Sequence, residues 1–355
     1  MKNLKLSDFG WGGGIKTIWD NFSRHGLPLF KRLTLKRFWN IFLLGLDWVL
    51  GRSCVFSRPV AIKIEPCNMC NYHCPGCYTG SGNPLSSKGK MSLDVYKKII
   101  DEMAPYALKI IPHMWGEPLI HPDIFEMITY GKKHNLQVQV SSNLNLMKEG
   151  DAERFVDSKL DQLTVPVDGA TQETYEIYRQ GGNLNKVLKG IQDIMAVRKA
   201  KNASYPKIEL QFIVFDHNVH EHEAVKKIAE ELNVDIFTVI DCQSNRESLK
   251  KETTTKSAKI KYSRCMTLWI LACFDWNGSV SACCDSVDDG FGNITEQDFG
   301  SIWNSPKIQK ARAFQKRRIP EKLKDAPNSK CLRCRILNNS VTFHDLPLTE
   351  NIPCQ

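Results

Sequence analysis

The chain has 355 residues, 42% of them hydrophobic, which is enough to bury a sizeable core and predicts two domains. Lysine and arginine exceed aspartate and glutamate by 48 to 39, but ten of the basic residues and only three of the acidic ones lie in residues 1–60. The rest of the chain is therefore close to neutral, which argues against a nucleic-acid substrate, and no apolar run reaches the ~18 residues of a membrane-spanning helix.

Residues 1–57 are predicted to form a basic N-terminal extension. Within it, residues 29–50 place four basic side chains before a run rich in Trp, Phe and Leu. One interpretation is a helix in a membrane interface, which would give a peripheral membrane contact. The other is a helix packed on the barrel or in a dimer contact. No secretory signal is recognisable, so we expect a cytoplasmic protein with reduced thiols, membrane-associated under the first interpretation.

Strands and helices alternate through residues 58–245. We predict six strands, at residues 61–65, 108–111, 136–140, 163–167, 208–214 and 236–240. Helical patterns lie between them, including one that begins at the N-cap Ser92 and one at residues 184–200. Six β–α units in a row predict an α/β fold with a parallel sheet and helices outside it, too few units for a closed eight-stranded barrel.

Three of the 13 cysteines follow the first strand closely, at the spacing C-x3-C-x2-C. Thiolates of Cys70, Cys74 and Cys77 on one tight loop can hold three irons of a four-iron cube and leave the fourth iron open to a small molecule. A zinc site is the alternative for this spacing. Cys67 forms a C-x2-C pair with Cys70, but its nearness to the strand favours a role as a strand-end residue.

A second cysteine set follows a polar linker at residues 246–262. The dipeptide Asn277-Gly278 predicts a tight hairpin that brings Cys283 back toward Cys265. Cys331 and Cys334 close the set. We expect residues 263–340 to form a small C-terminal cysteine-rich α+β domain, followed by a tail at residues 341–355. Four thiolates suit either one iron–sulfur cluster or a zinc ion, and Cys284 is an alternative to Cys283.

These motifs, in this order, resemble the radical S-adenosylmethionine (radical SAM) family, in the branch with a C-terminal SPASM or shorter twitch extension. The resemblance runs from about Val60 to about Cys334. It implies a partial (β/α)6 barrel, a SAM-binding 4Fe-4S cluster on Cys70, Cys74 and Cys77, and one auxiliary 4Fe-4S cluster. The auxiliary ligands it implies are Cys265, Cys283, Cys331 and Cys334.

The loops after the strands carry the further motifs of this resemblance. Residues 113–122 resemble the family's Gly-Gly-Glu-Pro motif, with Trp115 in place of the first Gly, and the resemblance assigns the amino group of S-adenosylmethionine to Glu117. It assigns the ribose or carboxylate to Ser141, Ser142 and Asn143, whose side chains can hydrogen-bond either group.

The loop after the fourth strand completes the implied cofactor site. Asp168 lies in a segment whose sequence resembles the family's Ser-Ile-Asp-Gly-Ala region. Arg179, on the following helix, is implied to meet the methionine carboxylate in a charge-assisted pair. A surface arginine on a helix is the alternative interpretation.

The resemblance implies reductive cleavage of S-adenosylmethionine to a 5′-deoxyadenosyl radical that abstracts hydrogen from a peptide or small-molecule substrate. The auxiliary cluster would accept an electron or orient the substrate, and a flavodoxin or ferredoxin would supply electrons. Asp285 is the candidate base if oxidation is the outcome. The alternative function is a non-radical iron–sulfur electron-transfer protein or a zinc-binding protein.

Overall fold

The computed structural model describes residues 27–241, 265–284 and 290–316. In chain order the helices are α1 (Leu27–Phe30), α2 (Leu35–Val49), α3 (Leu93–Met103), α4 (Ile124–Lys133), α5 (Asp151–Asp157), α6 (Gln172–Tyr178), α7 (Leu184–Ala200), α8 (His222–Glu231), α9 (Thr267–Ile270), α10 (Phe299–Trp303) and α11 (Pro306–Lys316). The strands are β1 (Ala61–Ile64), β2 (Lys109–Ile111), β3 (Gln137–Ser141), β4 (Gln162–Pro166), β5 (Lys207–Val214), β6 (Ile236–Asp241), β7 (Leu271–Phe274), β8 (Ser279–Ser281) and β9 (Gly292–Asn293).

The described strands form one sheet in the order β6-β5-β4-β3-β2-β1-β7-β8-β9. Strands β1 to β6 pair in parallel, each with the strand next in the chain. Helices connect them because a parallel crossover needs a long connection. The sheet does not close on itself, so the predicted α/β class and partial barrel are confirmed.

The cysteine-rich segment extends this sheet instead of standing apart from it. Strand β7 pairs in parallel with β1, with Ile64 opposite Phe274, and β8 runs antiparallel to β7. Gly278 has φ +85°, which fits the predicted tight turn. The hairpin is therefore confirmed, and the sheet hydrogen bonds join it directly to the first strand of the barrel.

The two faces of the sheet differ in polarity because successive strand residues point to opposite sides. Outward-facing residues such as Ile62, Ile64 and Ile110 are fully buried under the helices. The inner face is polar. Its clearest feature is Glu209, whose carboxylate accepts hydrogen bonds from Gln162, Thr164 and Thr238.

Helix α2 packs on the outside of the barrel by its polar side. Buried Arg37 donates to the carbonyl oxygens of Ala104 and His134, and Asn40 exchanges hydrogen bonds with the backbone of Arg58. Packing on the barrel was one of the two interpretations of residues 29–50. Among the described helices, none is both long and apolar enough to cross a membrane.

Candidate active site

The loop after β1 brings together the thiols of Cys70, Cys74 and Cys77. Burial, with smaller contributions from Glu117 and the two neighbouring thiols, raises the pKa of Cys70 to about 12. Burial likewise raises the pKa of Cys74 and of Cys77. Three neighbouring thiols, one buried and two half-buried, are costly to ionise without a counter-charge, and a bound cationic centre would favour their thiolate forms.

Nitrogen donors surround two of these sulfurs. The Tyr72 amide and Asn143 Nδ2 lie 3.4 and 3.9 Å from Cys70 Sγ, and Arg179 Nη1 lies 3.9 Å from Cys74 Sγ. Hydrogen bonds to sulfur are a feature of iron–sulfur sites, so the donor set fits a 4Fe-4S cluster. Among the described residues, no three His, Cys, Asp or Glu side chains are placed so that they could hold one metal ion.

Cys67 lies at a close contact between two loops. It is fully buried, with Sγ 4.0 Å from the Met69 carbonyl oxygen, and its own backbone carbonyl passes close to Gly116. A Cβ at Gly116 would lie only 1.7 Å from the Cys67 oxygen. The glycine that follows Trp115 is therefore the residue that the close approach of the two loops requires.

Glu117 connects the loops after β2 and β3 by hydrogen bonds. Its carboxylate accepts hydrogen bonds from Ser142 Oγ at 2.6 Å, the Asn143 amide at 2.8 Å and the Leu119 amide at 3.0 Å. Burial raises the pKa of Glu117, and these hydrogen bonds oppose that rise. A carboxylate has about four acceptor positions, so one remains for a further donor. Ser141, also predicted here, instead donates its amide to His113 Nδ1.

Asp168 and Arg179 form a buried ion pair beside the cysteine loop. Arg179 Nε lies 2.5 Å from Asp168 Oδ2, and the Ile213 amide donates to Asp168 Oδ1 at 2.7 Å. Asp168 is 0% exposed, so its side chain lies behind Arg179. Burial raises the pKa of Asp168, while Arg179 opposes the rise. Asp168 thus orients the guanidinium toward the thiol of Cys74.

Sequence reasoning gave no role to a second buried carboxyl pair, Glu65 and Asp275. They follow the paired strands β1 and β7, and each has one buried oxygen without a partner among the described residues. Glu65 Oε2 accepts from the amides of Trp115 and Gly116. Burial raises the pKa of Glu65 to about 8, and Asp275 adds to the rise. Only the register of β1 on β7 reveals this pair.

The cysteine-rich hairpin also touches the barrel through Cys284. Trp115 Nε1 donates to the Cys284 carbonyl at 3.1 Å, and Lys63 Nζ lies 3.9 Å from Cys284 Sγ. Cys284 is buried, whereas Cys283 and Cys265 are half-buried. Cys265 Sγ lies 2.7 Å from Thr267 Oγ1. The other predicted residues of this region, Asp285, Cys331 and Cys334, and the 246–262 linker lie outside the described residues.

Comparison with known proteins assigns two segments of the chain. Residues 64–228 match the model of the radical SAM superfamily, and residues 265–335 match the SPASM model, an iron–sulfur cluster-binding domain.

Two curated relatives and one solved structure illustrate the range of similar proteins. The AdoMet-dependent heme synthase of Methanosarcina barkeri is 26% identical over 317 residues, which cover 76% of this chain and 87% of that protein. The mycofactocin maturase MftC of Mycobacterium ulcerans is 24% identical over 174 residues, which cover 49% of this chain and 45% of that protein. The crystal structure of Streptococcus suis SuiB bound to its precursor peptide SuiA has a TM-score of 0.62 at 15% identity, over 84% of this chain and 74% of that one. The last likeness concerns the fold.

Proposed function

Because this chain belongs to the radical SAM superfamily and carries a C-terminal SPASM domain, we propose that Cys70, Cys74 and Cys77 hold its SAM-binding 4Fe-4S cluster. The observation that supports this assignment is that three thiols on one loop lie close enough to influence one another electrostatically, with nitrogen donors at two of the sulfurs. When bound, the cluster and S-adenosylmethionine supply the electron and the radical that removes a hydrogen atom from the substrate.

The residues around the thiols orient the cofactor in this proposal. Glu117 uses its remaining acceptor position for the amino group of S-adenosylmethionine, and Ser142 and Asn143 fix the carboxylate of Glu117 for that contact. Arg179 meets the methionine carboxylate. Asp168 is a positioning residue that acts through Arg179, and Ser141 keeps its proposed polar contact with the ribose or carboxylate through its hydroxyl.

The auxiliary 4Fe-4S cluster is assigned in the same proposal to Cys265, Cys283, Cys331 and Cys334. Cys284 is not included among these ligands, because its thiol contacts Lys63 on the inner face of the barrel. Asp285 remains the proposed base, the substrate a peptide or small molecule, and the electron donor a flavodoxin or ferredoxin. A low-potential donor is needed because the cleavage of S-adenosylmethionine is reductive.

Anaerobic reconstitution tests the cluster assignment. The full chain should take up about eight irons, and the triple variant Cys70→Ala/Cys74→Ala/Cys77→Ala about four. With dithionite, the parent chain should form 5′-deoxyadenosine from S-adenosylmethionine and the triple variant should not. Cys67→Ala is the matched control and should keep about eight irons. If Cys67→Ala lost the nucleoside as completely as the triple variant, the ligand assignment would be wrong. If the purified protein contained zinc, we would assign a zinc site to the second cysteine set in place of the auxiliary cluster.

We also propose that helix α2 rests on an anionic lipid surface. The helix turns an apolar stripe away from the barrel, formed by Leu35, Phe38, Trp39, Phe42, Leu46 and Val49. Exposed Lys31 and Lys36 lie at its N-terminal end, where they can meet acidic headgroups. A helix that exposes its apolar side to water is not stabilised by that exposure, and a contiguous exposed apolar surface is typical of an interaction site.

Co-sedimentation with vesicles of phosphatidylglycerol and phosphatidylcholine tests this contact. Trp39→Glu should lower vesicle binding about tenfold, since a charged side chain replaces an indole that would insert into the lipid. Ile177→Glu is the matched control, because Ile177 and Trp39 are each 53% exposed. Equal binding by Trp39→Glu and the parent chain would contradict a lipid contact. If Trp39→Glu instead lowered only the molecular mass measured by analytical ultracentrifugation without vesicles, the apolar stripe would be a dimer interface.

A further inference from the structure

The inner face of the partial barrel carries two lysines and a histidine that the proposed cofactor chemistry does not use. Strand register pairs Ala61 with Lys109 and Lys63 with Ile111. Lys63 and Lys109 are therefore diagonal neighbours on one face, about 8 Å apart at Cα from the strand rise and spacing. His113 follows β2, two residues before Trp115, and is close enough for both lysines to influence it electrostatically.

The carboxylates nearest Lys109 already have partners. Glu209 accepts hydrogen bonds from Gln162, Thr164 and Thr238, and Asp161 is bound to Arg32 and Lys132 at 2.5 Å each. No described carboxylate forms an ion pair with Lys63 or Lys109. Burial lowers the pKa of Lys109, the negative charge of Glu209 opposes this change, and the positive charge of Lys63 adds to it. The partners of Glu209 are neutral, so its negative charge still acts on Lys109, but one such carboxylate faces two ammonium groups. The described residues of this half-buried face therefore carry an excess of positive charge.

The third group presents a hydrogen-bond donor. The Ser141 amide donates to His113 Nδ1 at 3.0 Å, so in the neutral ring the proton sits on Nε2. Burial and the two lysines lower the pKa of His113 to about 3, and the ring is therefore neutral near pH 7. His113 Nε2–H and the two ammonium groups are all donors, which is the composition of a site for an oxyanion.

We propose that Lys63, Lys109 and His113 bind an anionic oxygen group of the substrate, a carboxylate or a phosphate, on the inner face of the barrel. This inference rests on the proposed function, since it supplies the substrate class of that same enzyme. Lys63 Nζ lies 3.9 Å from Cys284 Sγ, and the Cys284 carbonyl accepts from Trp115 next to the SAM-binding loops. An anion held here anchors the substrate on the inner face of the barrel and offsets the repulsion between the lysines.

Anion binding to the reconstituted full chain tests the proposal. Inorganic phosphate and 13C-labelled acetate serve as probes, each titrated at constant ionic strength and followed by the NMR line width of the probe. Lys63→Met and Lys109→Met should each weaken the binding of at least one probe about tenfold, as expected for loss of a charge-assisted hydrogen bond. The probe that binds more tightly identifies phosphate or carboxylate as the preferred group.

Matched variants separate binding from folding. Lys109→Arg keeps the charge and should restore binding to within about threefold of the parent chain. Lys97→Met removes an exposed lysine paired with Glu126 and should leave both dissociation constants unchanged. Iron content and circular dichroism report whether each variant is folded.

Equal affinity of the parent chain and folded Lys109→Met for both probes would overturn the proposal. If Lys109→Met and Lys109→Arg both failed to fold, Lys63→Met would decide alone, by the same comparison. Failure of this inference is distinguishable from failure of the proposed function. A parent chain that forms 5′-deoxyadenosine but binds neither probe through these lysines loses only the anion site, whereas anion binding without nucleoside formation contradicts the radical chemistry.

Discussion

Folding raises the pKa of two neighbouring carboxyl groups, those of Glu65 and Asp275. They meet where β1 and β7 end, next to the loop that carries Trp115 and Gly116. Burial raises the pKa of Glu65 from the usual 4.5 to about 8. Near pH 7 this carboxyl group therefore keeps its proton, which prevents two buried negative charges from facing each other.

The raised pKa of Glu65 makes stability depend on pH with a defined sign. The folded protein binds this proton more tightly than the unfolded chain, so the stabilisation is complete below about pH 4.5 and is lost as the pH rises through about 8. Glu65→Gln should leave the thermal midpoint nearly unchanged at pH 4.5 and raise it by about 5 °C at pH 8.5. Anaerobic thermal unfolding measures this, with the exposed Glu126→Gln as control. A variant whose difference from the parent chain did not vary with pH would disprove a raised pKa.

Gly116 is a residue whose small size the two loops proposed to bind S-adenosylmethionine require. In Gly116→Ala the new Cβ would lie 1.7 Å from the Cys67 carbonyl oxygen, so the two loops must separate. We expect at least a tenfold loss of affinity for S-adenosylmethionine, since loop displacements of ~1 Å have large effects at such sites. Equilibrium dialysis of the reconstituted protein measures it. Gly45→Ala, on α2 with nothing within 4 Å of the added Cβ, is the control and should bind normally.

At the scale of an element, α2 is held to the barrel by polar contacts. The guanidinium of Arg37 donates to the carbonyl oxygens of Ala104, His134 and Asn135, and the side chain is buried. Arg37→Met would leave these carbonyls without their donor, at a cost of about 2–4 kcal/mol. Amides of α2 should then exchange with deuterium at least tenfold faster, as mass spectrometry can measure. Lys31→Met, at an exposed position before the helix, should not change the exchange; equal exchange in both variants would contradict this role of Arg37.

At the scale of the whole molecule, one sheet and a shared core join the described parts of the chain. Strand β7 covers the edge of β1, and Trp269, Phe274 and Trp303 belong to the same buried cluster as Ile62 and Ile64 of the barrel. A chain that ends at residue 245, the predicted end of the barrel domain, would expose that edge and its apolar neighbours. We expect this fragment to be insoluble or to lack cooperative unfolding, whereas the full chain remains soluble under the same conditions. A soluble, cooperatively unfolding fragment would mean that the barrel folds alone.

Much of the local structure could be predicted from the sequence. The six barrel strands begin and end within one residue of their predicted bounds, and Ser92 caps α3 through a hydrogen bond to the Val95 amide. Period-two polarity, turn residues and capping side chains act between residues close in the chain. The short helix α5 was missed because its seven residues carry a weak periodic pattern and follow Gly150, which has φ +85°.

The sequence by itself determined the spacing of Cys70, Cys74 and Cys77, the β–α alternation and the hairpin turn at Gly278, because each is written in neighbouring residues. The partnership of Glu65 with Asp275, the cluster of Lys63, Lys109 and His113, and the outward apolar side of α2 were decided only by the tertiary structure. These features join residues that are distant in the chain, and strand register and helix orientation come from packing of the whole core, which no local pattern specifies.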